Sequence, residues 1–119
     1  MTEPLKKHIR EYIEISDEKL DNYCNAFTLK KLKKKEFLLK EGEIGDFEGF
    51  VVSGCFKVFH THHNAAEQIL YFGIENWWIN DLYSYLSSKP SRMFIQAVEP
   101  SVLVQISRNN LEILFLKIP

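Results

Sequence analysis

Four polar side chains between residues 76 and 94, NWWINDLYSYLSSKPSRMF, have the types and the order needed to hold an anion. Asn80 and Asp81 precede a short helical pattern, and Ser91 and Arg92 precede an apolar run typical of a strand. Free N–H groups at the start of a helix point at anions, and arginine offers paired planar donors to a phosphate. We name these residues the candidate phosphate site: Asn80, Asp81, Leu82, Ser91 and Arg92.

A second interpretation of the same residues needs no ligand. Asn80 then caps the helix, Asp81 interacts with the positive end of the helix dipole, and Arg92 is a surface charge. The residue types alone leave both interpretations open.

The histidine-rich run HTHH, residues 60–63, is the other pattern with the chemistry of a binding site. His60 and His62 share a strand face, but no third or fourth ligand at metal spacing accompanies them. We therefore expect a solvated hairpin turn and no metal site. The sequence contains no P-loop, nucleophile elbow or HExxH pattern, so we expect no enzymatic activity. A metal-binding cupin, which needs several inward histidines and a carboxylate, is the enzyme-class alternative.

Length and composition favour one globular domain without a nucleic-acid surface of its own. The 119 residues are 45% hydrophobic and carry 15 basic against 16 acidic residues, a net charge of -1. No apolar stretch approaches the roughly 18 residues that a membrane span needs, and no signal peptide is visible, so a cytoplasmic location is expected. Cys24 and Cys55 are expected to be free thiols. The lysines of LKKLKKKEFLLK, residues 29–40, alternate with apolar residues, which predicts a solvated strand face.

Helices are predicted at both ends of the chain. Pro4 suits the first turn of one helix, and Ser16 suits the N-cap position of a second. The first helix has a buried face of Leu5, Ile9, Tyr12 and Ile13, and the second one of Leu20, Tyr23, Cys24 and Phe27. A helix over residues 108–119 would place Leu111, Leu114, Phe115 and Ile118 on one face, with Ser107 as its cap.

Short strands fill the region between these helices. The segments FTLKKL, FLLKEGE, EGFVVSG, CFKVFHTHH, EQILYFGI, MFIQAVEP and SVLVQIS are rich in Val, Ile, Phe or Tyr and end at turn residues. Such spacing is typical of an antiparallel sandwich or barrel. One helical segment, NDLYSYLSS, interrupts it, with Leu82, Tyr85 and Leu86 on one face. We expect one domain over 1–119: helices over 1–26, a β-barrel over 27–107 and the start of a helix over 108–119.

The order of these elements resembles the cyclic-nucleotide-binding sensor domain of the Crp/Fnr transcription regulators. LKEGE is similar to the family's glycine turn, and VVSGCFKVF to its strand-glycine-strand element. Gly42 and Gly54 lie where the chain reverses, which often requires a positive φ. The resemblance implies a mainly β fold with flanking helices, the cyclic-nucleotide-binding-like antiparallel β-barrel or jelly roll (double-stranded β-helix).

The resemblance also implies partners. Members of this family continue into a dimerisation helix and a helix-turn-helix domain, so the full-length form is expected to be a homodimer that contacts DNA only through a C-terminal domain missing from this chain. It implies a small-molecule effector, a cyclic nucleotide or another small anion, and no membrane. No cofactor is otherwise indicated.

The candidate phosphate site departs from the family pattern, in which a glycine-glutamate pair opens the helix and an arginine-serine pair opens the next strand. Asn80 stands in the glycine position, Asp81 in the glutamate position, and Ser91 and Arg92 are in reversed order. A shift of one residue turns a side chain to the opposite face of a strand. We expect the fold to be retained with high-affinity cyclic AMP binding lost or altered, unless the loop at Pro90 returns Arg92 to the inward register. The alternative is a ligand-free protein-interaction module with a vestigial pocket.

Overall fold

The structure, a computed structural model, describes residues 2–61 and 66–117, with side chains for all of these except residues 114–117. The elements in chain order are α1 (Glu3–Arg10), α2 (Asp17–Asn25), β1 (Thr28–Leu32), β2 (Phe37–Leu39), β3 (Phe47–Ser53), β4 (Phe56–Thr61), β5 (Glu67–Gly73), β6 (Trp78–Ile79), α3 (Leu82–Ser87), β7 (Phe94–Ala97), β8 (Ser101–Ser107) and α4 (Arg108–Lys117).

The strands form two four-stranded antiparallel sheets with flanking helices. Their orders are β1-β8-β3-β6 and β2-β7-β4-β5. The predicted mainly β jelly roll is confirmed. Only β6, a two-residue strand before α3, has no counterpart in the predicted set, because two residues are too few for a period-2 pattern.

Two apolar clusters hold the sheets and helices together. The first fills the space between the sheets: Leu32, Leu39, Val51, Phe56, Val58, Ile79, Ile95, Ala97 and Leu103. The second joins the helices to the β1-β8-β3-β6 sheet: Leu5, Leu20, Cys24, Phe27, Phe50, Val104, Ile106 and Leu111. Burial of apolar surface at about 25 cal/mol per Å² makes these clusters the main favourable term in folding. Both cysteines are free thiols, as predicted.

The N-terminal helix is shorter than its predicted buried face. It ends at Arg10, so Tyr12 and Ile13 lie beyond it and are exposed, and that part of the prediction is wrong. The cap of α2 is confirmed, because the Ser16 hydroxyl accepts from the Lys19 N–H at 3.3 Å. Acidic residues in the first turn of α2 follow it, as the helix dipole favours.

Gly42 and Gly54 both have φ of +92°, which confirms the predicted positive φ at the two chain reversals. At Gly54 space is restricted as well, since a Cβ there would lie 2.2 Å from the Ser101 hydroxyl oxygen. That hydroxyl accepts from the Cys55 N–H at 3.1 Å and donates to the Glu99 carbonyl oxygen at 2.8 Å. The β3–β4 turn therefore depends on a residue without a side chain.

Helix α4 begins at Arg108 immediately after β8. The Ser107 hydroxyl accepts from the Asn110 N–H at 3.1 Å, as the predicted cap requires. Leu111 is buried, whereas the side chains of Leu114 and Phe115 and the whole of Ile118 lie outside the described residues. Within residues 2–61 and 66–117, no helix is long and apolar enough to span a membrane.

Candidate functional site

Asp81 lies at the centre of the candidate phosphate site and is 1% exposed. It is the N-cap of α3, and its carboxylate accepts from the Ser84 N–H at 3.4 Å. The other carboxylate oxygen accepts a hydrogen bond of 2.5 Å from the hydroxyl of Ser91, which is 2% exposed. Asp81, rather than Asn80, therefore caps the helix, and its carboxylate is occupied within the chain.

The loop before β7 fixes the orientation of Ser91. The Ser91 N–H donates to the Glu43 carbonyl oxygen at 2.7 Å, and the Ser91 carbonyl oxygen accepts from the Gly42 N–H at 2.8 Å. Its hydroxyl oxygen also accepts from the Met93 N–H at 3.0 Å. These bonds tie the loop to the turn after β2 and direct the Ser91 side chain inward.

Arg92 points away from the Asp81–Ser91 pair. It is exposed, and its guanidinium carbon lies 5.4 Å from the centre of the Tyr83 ring, a cation–π contact. The structure thus has Ser91 in the inward register and Arg92 in the outward one.

Asn80 is directed to a different partner. Its side-chain amide donates to the Glu48 carboxylate at 2.5 Å, and its backbone carbonyl oxygen accepts from the Tyr71 hydroxyl at 3.4 Å. Burial raises the pKa of Glu48, and the hydrogen bond from Asn80 opposes that rise. Burial is also the main cause of the raised pKa of Tyr71. Asn80 therefore links β3 and β5 to the entrance of α3.

Leu82 has no partner in this set of polar contacts. It is 58% exposed and Leu86 is 62% exposed, so the helical face that they share with Tyr85 is open to solvent at both leucines. Ser84 is the fully buried residue of the helix; its hydroxyl donates to the Lys89 carbonyl oxygen and accepts from the Gly45 N–H, both at 2.7 Å. With only six residues, α3 is held by polar bonds rather than by a leucine stripe.

The cyclic nucleotide-binding domain family model matches residues 29–117, which contain every strand except the first residue of β1. The chain belongs to this family. Within this cyclic nucleotide-binding domain, the candidate phosphate site occupies the segment that joins β6, α3 and β7. No curated protein matches the chain.

Three solved structures illustrate the likeness. A cyclic nucleotide-binding domain from Methylobacillus flagellatus is 20% identical, with a TM-score of 0.84, and the alignment covers 98% of this chain and 67% of that one. The sensor domain of the transcriptional regulator DNR from Pseudomonas aeruginosa is 22% identical, with a TM-score of 0.80 and coverage of 97% and 76%. The Thermus thermophilus catabolite activator protein is 20% identical, with a TM-score of 0.78 and coverage of 91% and 50%. At these identities the likeness shows the fold, and this domain spans half the length of the Thermus protein.

The domain brings together only part of the candidate phosphate site. Asp81 and Ser91 are bonded to each other, whereas Arg92 and Leu82 face solvent and Asn80 bonds to Glu48. In the part of the chain that the structure describes, no three His, Cys, Asp or Glu residues form a metal-binding group. His62 and His63 lie outside the described residues.

Two side chains near α3 were missed by sequence reasoning. Tyr71 packs against the cluster between the sheets and bonds to Asn80 from there; its inward direction follows from its register opposite buried Val58. Arg108 donates from one guanidinium nitrogen to the carbonyl oxygens of Tyr85 at 2.7 Å and Leu86 at 3.1 Å. No local sequence signal indicates the Arg108 contact, because its partners are more than 20 residues away.

Proposed function

We propose that this domain is the sensor domain of a Crp/Fnr-type transcription regulator whose phosphate cassette does not bind cyclic AMP at high affinity. The observation that carries the proposal is the buried Asp81–Ser91 hydrogen bond with Arg92 directed outward. The first part is supported by similar structures of a catabolite activator protein and of the sensor domain of a transcriptional regulator.

Charge is the first argument against cyclic AMP. A cyclic phosphate carries one negative charge, and the inward position before β7 offers it no cation, because Ser91 is bonded there to Asp81 while Arg92 faces outward. A hydrogen bond to a charged group contributes about 1.5–3 kcal/mol. A factor of about 10 in affinity corresponds to 1.4 kcal/mol, so the absence of an inward arginine lowers affinity for a cyclic phosphate by about tenfold or more.

Space is the second argument. In the family pattern a glycine lets the backbone approach the ligand, whereas Asn80 carries a side chain held by Glu48. The Tyr71 ring packs inside the barrel, with its hydroxyl against the Asn80 carbonyl oxygen. A ligand would have to displace both groups and break their hydrogen bonds.

The wider setting follows from the family. We propose one domain over residues 1–119 that acts by binding rather than catalysis, in the cytoplasm, within a homodimer that reaches DNA through a C-terminal domain. Any effector of this pocket is then a small molecule other than cyclic AMP.

A ligand-free protein-interaction module is the second candidate function. It is favoured by the exposure of three large apolar side chains on α3, since large apolar side chains grouped on a surface often mark contact sites: Leu82, Tyr83 and Leu86.

Calorimetric titration with cyclic AMP and cyclic GMP tests the proposal. We expect no micromolar binding by the wild type and no change on Arg92→Ala. The exchange Ser91→Arg with Arg92→Ser restores the family order and is expected to strengthen cyclic AMP binding, provided circular dichroism shows the fold intact. Micromolar binding by the wild type that Arg92→Ala abolishes would overturn the proposal.

A further inference from the structure

The β2-β7-β4-β5 sheet has an apolar surface on the side away from the core. Its strand registers align Phe37, Gln96, Lys57 and Phe72 in one row across the sheet. A neighbouring row contains Phe94, Phe59 and Ile69. Ile95 and Val58, one position from Phe94 and Phe59, are buried between the sheets, so these two rows face outward. We name the apolar members of both rows the outer apolar face: Phe37, Phe59, Ile69, Phe72 and Phe94.

The rings of the outer apolar face pack against one another before any partner arrives. Phe94 stacks on Phe59 with centroids 5.2 Å apart and an interplanar angle of 12°. The Phe37 ring packs tilted against Phe94, with centroids 5.7 Å apart. Phe37, Ile69 and Phe72 are nevertheless 38%, 46% and 44% exposed. Phe59 is only 3% exposed, so the accessible part of this surface is mainly Phe37 on β2 and Ile69 and Phe72 on β5. The rings of Phe37, Phe94 and Phe59 are held by their mutual packing, which lowers the entropy cost of covering them.

Lysines surround this surface. A cleft of about 500 Å³ runs along it, lined on its basic side by Lys34, Lys35 and Lys57 and on its apolar side by Ile69, Phe72 and Val98. Lys57 is bonded to Glu67 at 2.7 Å, which neutralises both. Lys34 and Lys35 are exposed, and Lys40 extends over the Phe37 ring at 5.4 Å. Lys34 and Lys35 thus give the cleft two exposed positive charges, whereas the acidic residue among its described lining, Glu67, is already paired.

We propose that the outer apolar face is the docking surface for an acidic amphipathic segment of a partner protein. Apolar side chains of that segment would cover Ile69 and Phe72, and its carboxylates would meet Lys34 and Lys35. Charge complementarity of this kind steers association and sets the register of the bound segment.

A second copy of the chain fits this surface poorly. In a two-fold dimer both copies contribute the same patch, so the exposed lysines of both would be gathered into one interface. Like charges within an interface cost free energy, and among the described residues that line the cleft the acidic one, Glu67, is already bonded to Lys57. An acidic partner removes this repulsion, whereas self-association creates it.

The outer apolar face is separate from the candidate phosphate site. None of its residues belongs to α3 or to the Asp81–Ser91 pair, and the lining residues of its cleft lie on β4, β5, β7 and the adjoining turns. Docking there therefore does not depend on whether the pocket holds an effector.

The test uses a synthetic amphipathic peptide of 12 residues with leucine and phenylalanine on one helical face and glutamate on the other, titrated into the wild-type chain by calorimetry. Its counterpart has lysine in place of every glutamate. We expect the glutamate peptide to bind and the lysine peptide not to bind. Phe72→Ser and Lys34→Glu with Lys35→Glu should each weaken binding at least about tenfold, the scale of loss of one interface anchor. Ile13→Ser, at an exposed apolar residue beyond α1 (54% exposed, against 44% for Phe72), is the control and should leave affinity unchanged.

Three outcomes would overturn the proposal. The first is no binding of the glutamate peptide, and the second is equal binding of both peptides. The third is a wild-type dimer in sedimentation equilibrium that Phe72→Ser dissociates, which would assign the face to a second copy. A positive result in the cyclic AMP titration would leave this proposal untouched, because it concerns the other site.

Discussion

Removal of the Asp81–Ser91 hydrogen bond offers the sharpest measure of how the candidate phosphate site is built. The two variants are Asp81→Ala and Ser91→Ala, and both wild-type side chains are at most 2% exposed. A hydrogen bond to a charged group contributes about 1.5–3 kcal/mol. We expect the upper part of this range for Ser91→Ala, because the other bond to the carboxylate, from the Ser84 N–H, is long at 3.4 Å.

Asp81→Ala should cost more than Ser91→Ala. It removes the same hydrogen bond and also the N-cap of α3, which is worth about 1 kcal/mol. The serine left behind is not stranded, since its hydroxyl lies 3.3 Å from the Met93 carbonyl oxygen. The expected loss for Asp81→Ala is therefore about 3–4 kcal/mol, the sum of the two contributions.

A double-mutant cycle isolates the pair. Urea unfolding followed by tryptophan fluorescence at neutral pH on the wild type, both single variants and the double variant should give a coupling energy of about 1.5–3 kcal/mol. Asn80→Ala is the control. It removes a hydrogen bond at the same helix entrance, but its partner Glu48 is only half-buried, so the loss of stability should be smaller than for Asp81→Ala or Ser91→Ala. A coupling energy below about 0.5 kcal/mol would refute the reasoning, since that value is within the additivity of independent sites.

Two further predictions concern other parts of the domain. Gly54→Ala should lower the free energy of unfolding in urea by about 1–3 kcal/mol, because φ is +92° and the new Cβ would lie against Ser101. Gly42→Ala is the control, since Gly42 has the same φ but open space around it. An equal loss in the two variants would contradict a contribution from the Ser101 clash. Burial raises the pKa of Glu48, so the folded state binds its proton more tightly than the unfolded state. The stability contribution of Glu48 therefore falls as pH rises through that pKa, and Glu48→Gln should gain stability relative to wild type from about pH 4 to about pH 7 in thermal melts. A difference in stability between Glu48→Gln and wild type that stays constant across that range would show that the pKa of Glu48 is the same in the folded and unfolded states.

The strands were predictable because they are rich in Val, Ile, Phe or Tyr and end at turn residues. In SVLVQIS, Leu103 packs between the sheets and the adjacent Val104 against the helices, so both faces are buried and composition rather than alternation is the signal. The positive φ at Gly42 follows from its position at a reversal. The helix ends were harder to predict. Exposed Tyr12 and Ile13 continue the apolar spacing of α1 beyond Arg10, where the helix ends, since periodicity does not report where a chain leaves the core.

The candidate site was predictable in composition but not in geometry. Sequence reasoning placed Asp81 and Ser91 in one site, yet whether Ser91 or Arg92 points inward depends on backbone bonds to Glu43 and Gly42, about 50 residues away in sequence. Leu82, Tyr85 and Leu86 have the predicted helical spacing, but a six-residue helix anchored by the Ser84 hydroxyl leaves the two leucines exposed.

Arg108 joins the end of one helix to the start of another. Its guanidinium holds carbonyl oxygens at the C-terminal end of α3 and, through a second nitrogen at 3.1 Å, the Glu112 carboxylate one turn into α4. Its backbone N–H is meanwhile bonded to the Asp46 carbonyl oxygen, at the start of β3. Arg108 thus joins the C-terminal end of α3 to the first turn of α4, so a shift of α3 along its axis requires either that these bonds break or that the first turn of α4 moves with it.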